Sequence, residues 1–518
     1  MYLTQTLHRA ARVHPDRLAT ICGDRRTSYA SLQDRVSRLA GALRALGVAP
    51  GDRVGMLSLN SDRYLEYFFG VYWAGGVVNA ANIRWSASEI AYSFEDCDTR
   101  VLFVDDQFLP MLAAIREHAP CVRTVIHCGD SATPEGMLNY EALVAENAPV
   151  EDAMRSGEDL AGIFYTGGTT GFPKGVMLPH RALYANGLSL AADGFDPRGV
   201  IGLHAAPMFH LADHALVNGL AMGGATHVIL PAFNPQAVAE TIEREKVRAT
   251  LLVPTMIQML VDSPVIREHD LSSLEFLAYG GSPIAEAVID RALAVMPQVK
   301  MLQIYGMTEL APVATTLPHE FHVGEGRRQG KTRSAGRPTM ICDVRIVDAE
   351  GAEVPRGTIG EVAARGPGVM LGYWNKPEAT AEAVRDGWMH TGDGGYMDEE
   401  GFVYIVDRIK DMIVTGGENV YSVEVENAVA KHAAVMQCAV IGIPDDQWGE
   451  LVHACVVPYS GASVTLDELQ QHCKSMIANY KVPRSLEIME SLPMSGAGKI
   501  LKKTLREKHW AGRNRQVG

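Results

Sequence analysis

The stretch "EIAYSFEDCDTRVLFVDD", residues 89–106, spaces its first apolar residues for one face of a helix, then runs four apolar residues together before an acidic pair. An amphipathic helix leading into a short, wholly apolar strand is the repeating unit of a parallel sheet, whose strands are buried on both faces. The unit recurs. "YASLQDRVSRLAGALRALG" (29–47) has helical spacing, ends in Gly47, and is followed by "PGDRVGMLS" (50–58), a turn and a buried strand. "QAVAETIEREKV" (236–247) likewise precedes "RATLLVP" (248–254). The repetition predicts an α/β fold: a large N-terminal domain of helix-covered, mainly parallel sheets.

Further along the texture changes. From about Gly336 to Tyr404, segments such as "DVRIVDAEG" (343–351) and "IGEVAARGPG" (359–368) read as short strands and turns, hence a β-rich subdomain. After "DRIKD" (407–411) a new small pattern begins with "YSVEVENAVAKHA", "VMQCAVIGIPD", "LVHACVVPY" and "TLDELQQHCKSMIANY". The boundary is placed at Lys410: residues 1–409 form the N-terminal domain and 410–518 a small α+β C-terminal domain. At 518 residues the chain exceeds what one core usually organises, which agrees with this division.

Composition excludes several classes. A formal charge of -14 argues against a nucleic-acid partner, whose affinity would rest on neutralising phosphates. The 8 cysteines include no CxxC pair, so spacing suggests neither a zinc site nor a disulfide framework, and a reduced cytoplasmic setting is expected. The N-terminal "MYLTQTLHRAARVHPDR" lacks the apolar core of a secretory signal. The longest apolar run, "YFFGVYWAGGVV" (67–78), is too short to cross a bilayer, so no membrane insertion is expected.

Five motifs carry chemistry. "YTGGTTGFPKG" (165–175) surrounds one lysine, Lys174, with glycines and threonines, a composition that lets backbone N–H groups approach an anion closely. Lys174 is followed by Gly175 where a Walker A loop has Ser or Thr, so this is not that loop; a surface turn is the plain alternative. "YGMTE" (305–309) sets Thr308 and Glu309 at a strand end, where open α/β sheets bind ligands, and Glu309 is a candidate ligand for magnesium. "HTGD" (390–393) puts Asp393 on a glycine turn, suited to two ribose hydroxyls. "DRIKD" offers Arg408, and "GAGK" (496–499) sets Lys499 on a glycine loop.

The order "YTGGTTGFPKG", "YGMTE", "HTGD", "DRIKDMIVTGGENVYSVEVE", "PMSGAGK" resembles the acyl-adenylate-forming superfamily of acyl-CoA synthetases, peptide-synthetase adenylation domains and beetle luciferases, over nearly the whole chain. The resemblance implies an AMP-forming acyl-CoA synthetase that uses ATP, Mg2+ and CoA with a small carboxylic acid. Thr166, Gly168, Thr169, Thr170 and Lys174 would grip the β- and γ-phosphates; Thr308 and Glu309 would serve the α-phosphate and Mg2+. Gly280, Gly281 and Ser282, with Tyr305, would form the adenine slot, and Asp393 with Arg408 would bind ribose. Lys499 would bridge the carboxylate and α-phosphate as charge develops. Lys410 matches a hinge about which the small domain rotates, bringing Gly416, Gly417 and Glu418 to line a CoA tunnel. Many relatives carry Ser at the place of Gly167, so one hydroxyl is missing from the loop here. Such enzymes are commonly dimers, which makes a homodimer an expectation.

"HAAPMFHLADHA" (204–215) gives His210 and His214 the i, i+4 spacing of a metal pair, but no HExxH glutamate accompanies it. By resemblance His210 gates the acyl and pantetheine passage, and Phe209, His214, Thr255, Gly306 and Met307 line the acyl pocket. Asp213 and His214 either meet a polar group on the substrate or pair with each other. "GEGRRQGKTRSAGR" (324–337) reads as a solvated basic loop. The basic helix after Lys499, with Lys502, Lys503 and Arg506, is either solvated or turned to the CoA 3′-phosphate. The presumed pocket segments are mostly apolar and hold no arginine, so a neutral tail is expected: a medium- or long-chain fatty acid first, a cinnamate- or benzoate-type acid second. A free-standing enzyme that loads a carrier protein is the other reading.

Overall fold

The structure, a computed structural model, describes residues 1–167, 173–408, 411–495 and 500–511. Each helix-then-strand unit forms where its pattern lies. The helix Tyr29–Ala45 starts at Ser28, whose hydroxyl accepts from the Ser31 N–H, and the chain leaves it through Gly47 at φ +88°. The helix Ala87–Asp96 opens on a capping box between Ser86 and Glu89, and the fully buried strand Val101–Val104 follows. That strand pairs parallel with Arg53–Leu57 on one side and Thr124–His127 on the other.

Two large sheets result. An eight-stranded sheet runs from Gly372–Tyr373 through Lys174–Pro179, Leu160–Thr166, Val77–Ala80 and Arg53–Leu57 to Val101–Val104 and beyond. A nine-stranded sheet carries Thr315–Leu317, Lys300–Tyr305, Phe276–Gly280, Ala249–Leu252, Ile201–His204 and Thr226–Ile229 in its middle. The helix Asp62–Ala74 is buried along its entire length and packs against strands of both sheets, the position that an all-round apolar helix must occupy. Its charged residues are satisfied in place. Glu66 takes Arg35 at 2.6 Å and Arg63 takes Glu141 at 3.0 Å, although burial still pushes the Glu66 carboxyl up.

A five-stranded antiparallel sheet contains Asp343–Val347, Gly360–Arg365, Trp388–Met397 and Val403–Arg408, the β-rich subdomain. One local reading is corrected: "HTGD" lies inside the strand Trp388–Met397 and not on a turn, with Gly392 at φ +70° beside a shift in register against residues 361–363. The C-terminal sheet joins Glu418–Val420, Ile413–Thr415, Gly449–Pro458, Val435–Asp445 and Ser485–Ile488, and its apolar clusters draw only on residues from Ile413 onward. Lys410 lies outside the described residues.

The basic segment 324–337 is not a solvated loop. Arg327 and Arg333 pair with Glu286, and Lys331, 6% exposed, holds Asp398 at 2.8 Å and Glu400 at 2.7 Å. The basic helix Lys502–Trp510 also turns inward: Lys502 pairs with Glu426 at 2.8 Å and Arg506 with Asp411 at 2.5 Å, so these two cations hold the small domain together.

Gly41 sits inside the helix Tyr29–Ala45 where a Cβ would overlap the carbonyl oxygen of Ala148. Gly41→Ala normally strengthens a helix by about 1 kcal/mol, but here the overlap reverses the sign, and a loss of about 1–3 kcal/mol is expected. A lowered denaturation midpoint checks it, and a raised one would show that the close approach is absent.

Candidate active site

The strands Leu160–Thr166 and Lys174–Pro179 form an antiparallel hairpin in which Thr166 faces Lys174 across the register. Gly168, Thr169 and Thr170, between these strands in sequence, lie outside the described residues. Gly372–Tyr373 adds to the same edge, with Tyr373 opposite Val176. This places the Tyr373 ring under the Lys174 ammonium, 4.9 Å from Nζ to the ring centroid. The Tyr373 hydroxyl donates to Glu309 Oε1 at 2.8 Å, and the Met370 N–H donates to the Glu309 carbonyl at 2.9 Å. Lys174 and Glu309, read from separate motifs, thus meet through one tyrosine that sequence reasoning missed. Its only signal was its place in "LGYWN", an unremarked aromatic pair.

Glu309 lies in the short turn Thr308–Leu310, just after the strand Lys300–Tyr305, and is 6% exposed. Gly280 ends the neighbouring parallel strand, in register with Ile304, and a Cβ there would overlap the Ile304 carbonyl oxygen. Gly281 follows at φ +83°, a conformation that glycine takes without strain. A Cβ on Gly306 would similarly overlap the Pro312 carbonyl oxygen. These closely approaching strand ends, with Ser282, Tyr305 and Met307 half-buried beside them, form a ledge at the carboxyl edge of the sheet.

Tyr305 connects the ledge to the β-rich subdomain. Its hydroxyl donates to Asp393 Oδ2 at 2.7 Å, while Arg408 Nε stands 2.6 Å from Asp393 Oδ1. Asp393 and Arg408 are cross-strand partners, so the ladder itself fixes this pair. The Asp393 charge raises the Arg408 pKa, and burial pushes the Tyr305 hydroxyl well up, keeping it a donor.

The other expected residues fall in three places. His210 precedes the helix Leu211–Gly223, and its side chain accepts from the Ala212 N–H; Phe209 beside it is buried and Thr255 lies in the first turn of Pro254–Asp262. His214 is 1% exposed, packed edge-on against Phe68 and Phe164 with Tyr72 Oη at 3.4 Å. Asp213 does not pair with His214: it takes His204 Nδ1 at 2.8 Å, whose Nε2 contacts His227 at 2.9 Å. Gly416, Gly417 and Glu418 form the exposed tip of the hairpin between Ile413–Thr415 and Glu418–Val420.

Lys499 lies outside the described residues. The carbonyl oxygen of Ser495 accepts from Arg84 Nη1 at 3.1 Å, and Gln258 Nε2 donates to the Met436 carbonyl at 2.6 Å. The small domain therefore rests on the large one in this arrangement, with Ser495 held against it.

Comparison with known proteins bears on this site. The AMP-binding enzyme family matches residues 7–374, and the AMP-binding enzyme C-terminal domain matches residues 424–499. A protein named feruloyl-CoA synthase from Amycolatopsis sp is 40% identical over 96% of this chain and 97% of its own. A fatty acid–[acyl-carrier-protein] ligase, ScoC, from Streptomyces coeruleorubidus is 36% identical over 99% of this chain and 98% of its own. The crystal structure of ATP-bound MatB from Rhodopseudomonas palustris superposes with a TM-score of 0.87 at 30% identity, covering 98% of this chain and 99% of that one.

Burial holds the His214 imidazole down at about 3, below its ordinary 6.5. A histidine depressed in the folded state contributes stability that is full above pH 6.5 and is lost as pH falls toward 3, because the unfolded chain takes up the proton first. At pH 5 the loss is about 2 kcal/mol. His214→Phe, which keeps an aromatic ring between Phe68 and Phe164, should flatten this part of the stability profile between pH 6.5 and 4; an unchanged profile would remove His214 as its source.

Proposed function

The chain belongs to the AMP-binding enzyme family, and from that premise we propose that it is an AMP-forming acyl-CoA synthetase for a carboxylic acid with an uncharged, apolar tail. The observation that carries the reading is the convergence of Lys174, Glu309, Tyr305, Asp393 and Arg408, from four separate motifs, on one ledge through the contacts of Tyr373 and Asp393. A carboxylate is a poor electrophile. Its attack on the α-phosphorus of ATP expels pyrophosphate and gives acyl-AMP, whose carbonyl then takes the CoA thiol and releases AMP.

In this assignment Lys174, with Thr166, Gly168, Thr169 and Thr170, grips the β- and γ-phosphates, Thr308 contacts the α-phosphate, and Gly280, Gly281 and Ser282 receive the adenine. Asp393 accepts from the ribose hydroxyls with lone pairs that Arg408 and Tyr305 leave free. Lys499 contributes positive charge between the acid and the α-phosphate. Glu309 Oε1 is taken by Tyr373 and Oε2 has no hydrogen-bond partner among the described residues, so one carboxylate oxygen is available to a hard cation shared with phosphate oxygens. Mg2+ held there would lower the charge repulsion between the triphosphate and the incoming carboxylate. The exposed hairpin tip at Gly416–Glu418 is assigned to the CoA arm after rotation of residues 410–518 about Lys410.

For the acid, the arginine-free character of residues 209–219, 251–260, 279–283 and 307–316 supports a medium- or long-chain fatty acid. The 40% identical relative named feruloyl-CoA synthase supports an aryl acid as second reading, and the relative named for an acyl-carrier protein supports a carrier as alternative acceptor. Pyrophosphate release with ATP and Mg2+, across fatty acids of graded length and a set of aryl acids, with CoA or a carrier, separates them. CoA-dependent turnover peaking on fatty acids is expected. Release that needs a carrier, or a peak on aryl acids, would replace the corresponding half of the proposal.

Two variants test the assignment of roles. Lys499→Ala should slow acyl-AMP formation about 100- to 1000-fold while thioester formation from supplied acyl-AMP stays within a few-fold of wild type. Equal loss of both steps would overturn the two-face assignment. Glu309→Gln should lower kcat and make the Mg2+ requirement steeper; an unchanged Mg2+ titration would remove Glu309 from cation binding.

A further inference from the structure

A second cluster of ligating side chains lies in the C-terminal sheet, away from the ledge. His453 and Cys455 are two residues apart on Gly449–Pro458 and so project from one face. The parallel strand Ser485–Ile488 pairs Ser485 with His453 and Glu487 with Cys455, and the helix Lys502–Trp510 brings His509 over the same face. Ligand atoms of His453, Cys455 and Glu487 lie within 4.8 Å of one another. His453 Nε2 is 3.6 Å, and His509 Nε2 3.9 Å, from Glu487 Oε2.

Those separations are too long for hydrogen bonds. They are close to the roughly 3.3–3.8 Å between donors that tetrahedral Zn–N and Zn–S bonds of about 2.0–2.3 Å impose. His453 is 4% exposed, and its Nε2 and that of His509 are buried without a hydrogen-bond partner among the described residues. Two orphaned imidazole nitrogens aimed at one carboxylate oxygen are costly unless something lies between them. His453 Nδ1 stands 2.8 Å from Ser485 Oγ; donating there leaves Nε2 with its lone pair directed at the cluster.

We propose that His453 Nε2, Cys455 Sγ, Glu487 Oε2 and His509 Nε2 form a Zn2+ site that clamps the helix Lys502–Trp510 to the C-terminal sheet. Nitrogen, thiolate and one carboxylate in four-fold array suit zinc over magnesium or calcium. Its ligands span residues 453–509 and come from two strands and a helix, which is why no short cysteine motif announces it. Lys508, at 2.5 Å from both Glu487 oxygens, is the cation that the metal has to displace from Oε2. The clamp would hold the helix that follows Lys499 in sequence.

The test uses the full-length chain, stripped with a chelator, reloaded with Zn2+ alone and gel-filtered before metal analysis. One zinc per chain is expected in wild type, with Kd weakened at least about 100-fold in His453→Ala and Cys455→Ser, and unchanged or tightened in Lys508→Met. Loading with Co2+ should give the intense visible bands of a tetrahedral site plus a thiolate charge-transfer band that Cys455→Ser, a near-isosteric change, specifically removes. No retained zinc in wild type, or retention and Co2+ spectra that the Cys455 and His453 variants leave unaltered, would overturn the proposal. Neither readout depends on turnover, so failure here is distinct from failure of the ligase reading.

Discussion

The hydrogen bond from Tyr373 to Glu309 is the contact on which the arrangement of the active-site ledge depends. Tyr373 stands on the outermost strand of the eight-stranded sheet, and Glu309 on the turn leaving a strand of the nine-stranded one. A carboxylate that is 6% exposed must be satisfied locally, and the tyrosine does so while its ring face receives the Lys174 ammonium. One aromatic side chain therefore sets the spacing between a cation and an anion that belong to different sheets. The fully buried helix Asp62–Ala74 packs against strands of both sheets.

Electrostatics at the ledge are local. The chain carries a formal charge of -14, so nothing in its bulk field draws a nucleotide triphosphate toward it. The positive groups near the site are few and each is held: Lys174 over a ring, Arg408 against Asp393. Most other cations that clustered in sequence, among them Lys331, Lys502 and Arg506, are consumed by internal ion pairs. Among the described residues these three cations mark joints between elements.

The small domain uses the same economy of contacts. Among the described residues the polar bonds that join it to the large domain include the Ser422 N–H to Asp407 at 2.6 Å, Arg84 to Ser495, Gln258 to Met436 and Lys431 to Glu286 at 3.6 Å, while its apolar clusters draw on its own residues. Polar bonds between units with separate cores are of the kind that a hinged rotation can break and remake. The cluster around Glu487 lies on the side of that unit where the last helix returns to the sheet.

The amino-acid sequence by itself determined the α/β class, the β-rich insertion and the small C-terminal unit, because burial on both faces, alternation and capping are local patterns that "TRVLFVDD" or Ser86 with Glu89 state outright. It also gave up Lys174, Glu309, Asp393 and Arg408 as separate candidates, each within a short motif of glycines and charges. Tertiary structure alone decided who meets whom. Tyr373 joins residues 135 positions apart, Asp213 turns to His204 instead of its neighbour His214, and Arg327 and Arg333 find an acid on another element. The reason is physical: a motif fixes the backbone that presents a side chain, whereas the partner is whatever the packed strands and helices carry into its hydrogen-bonding range.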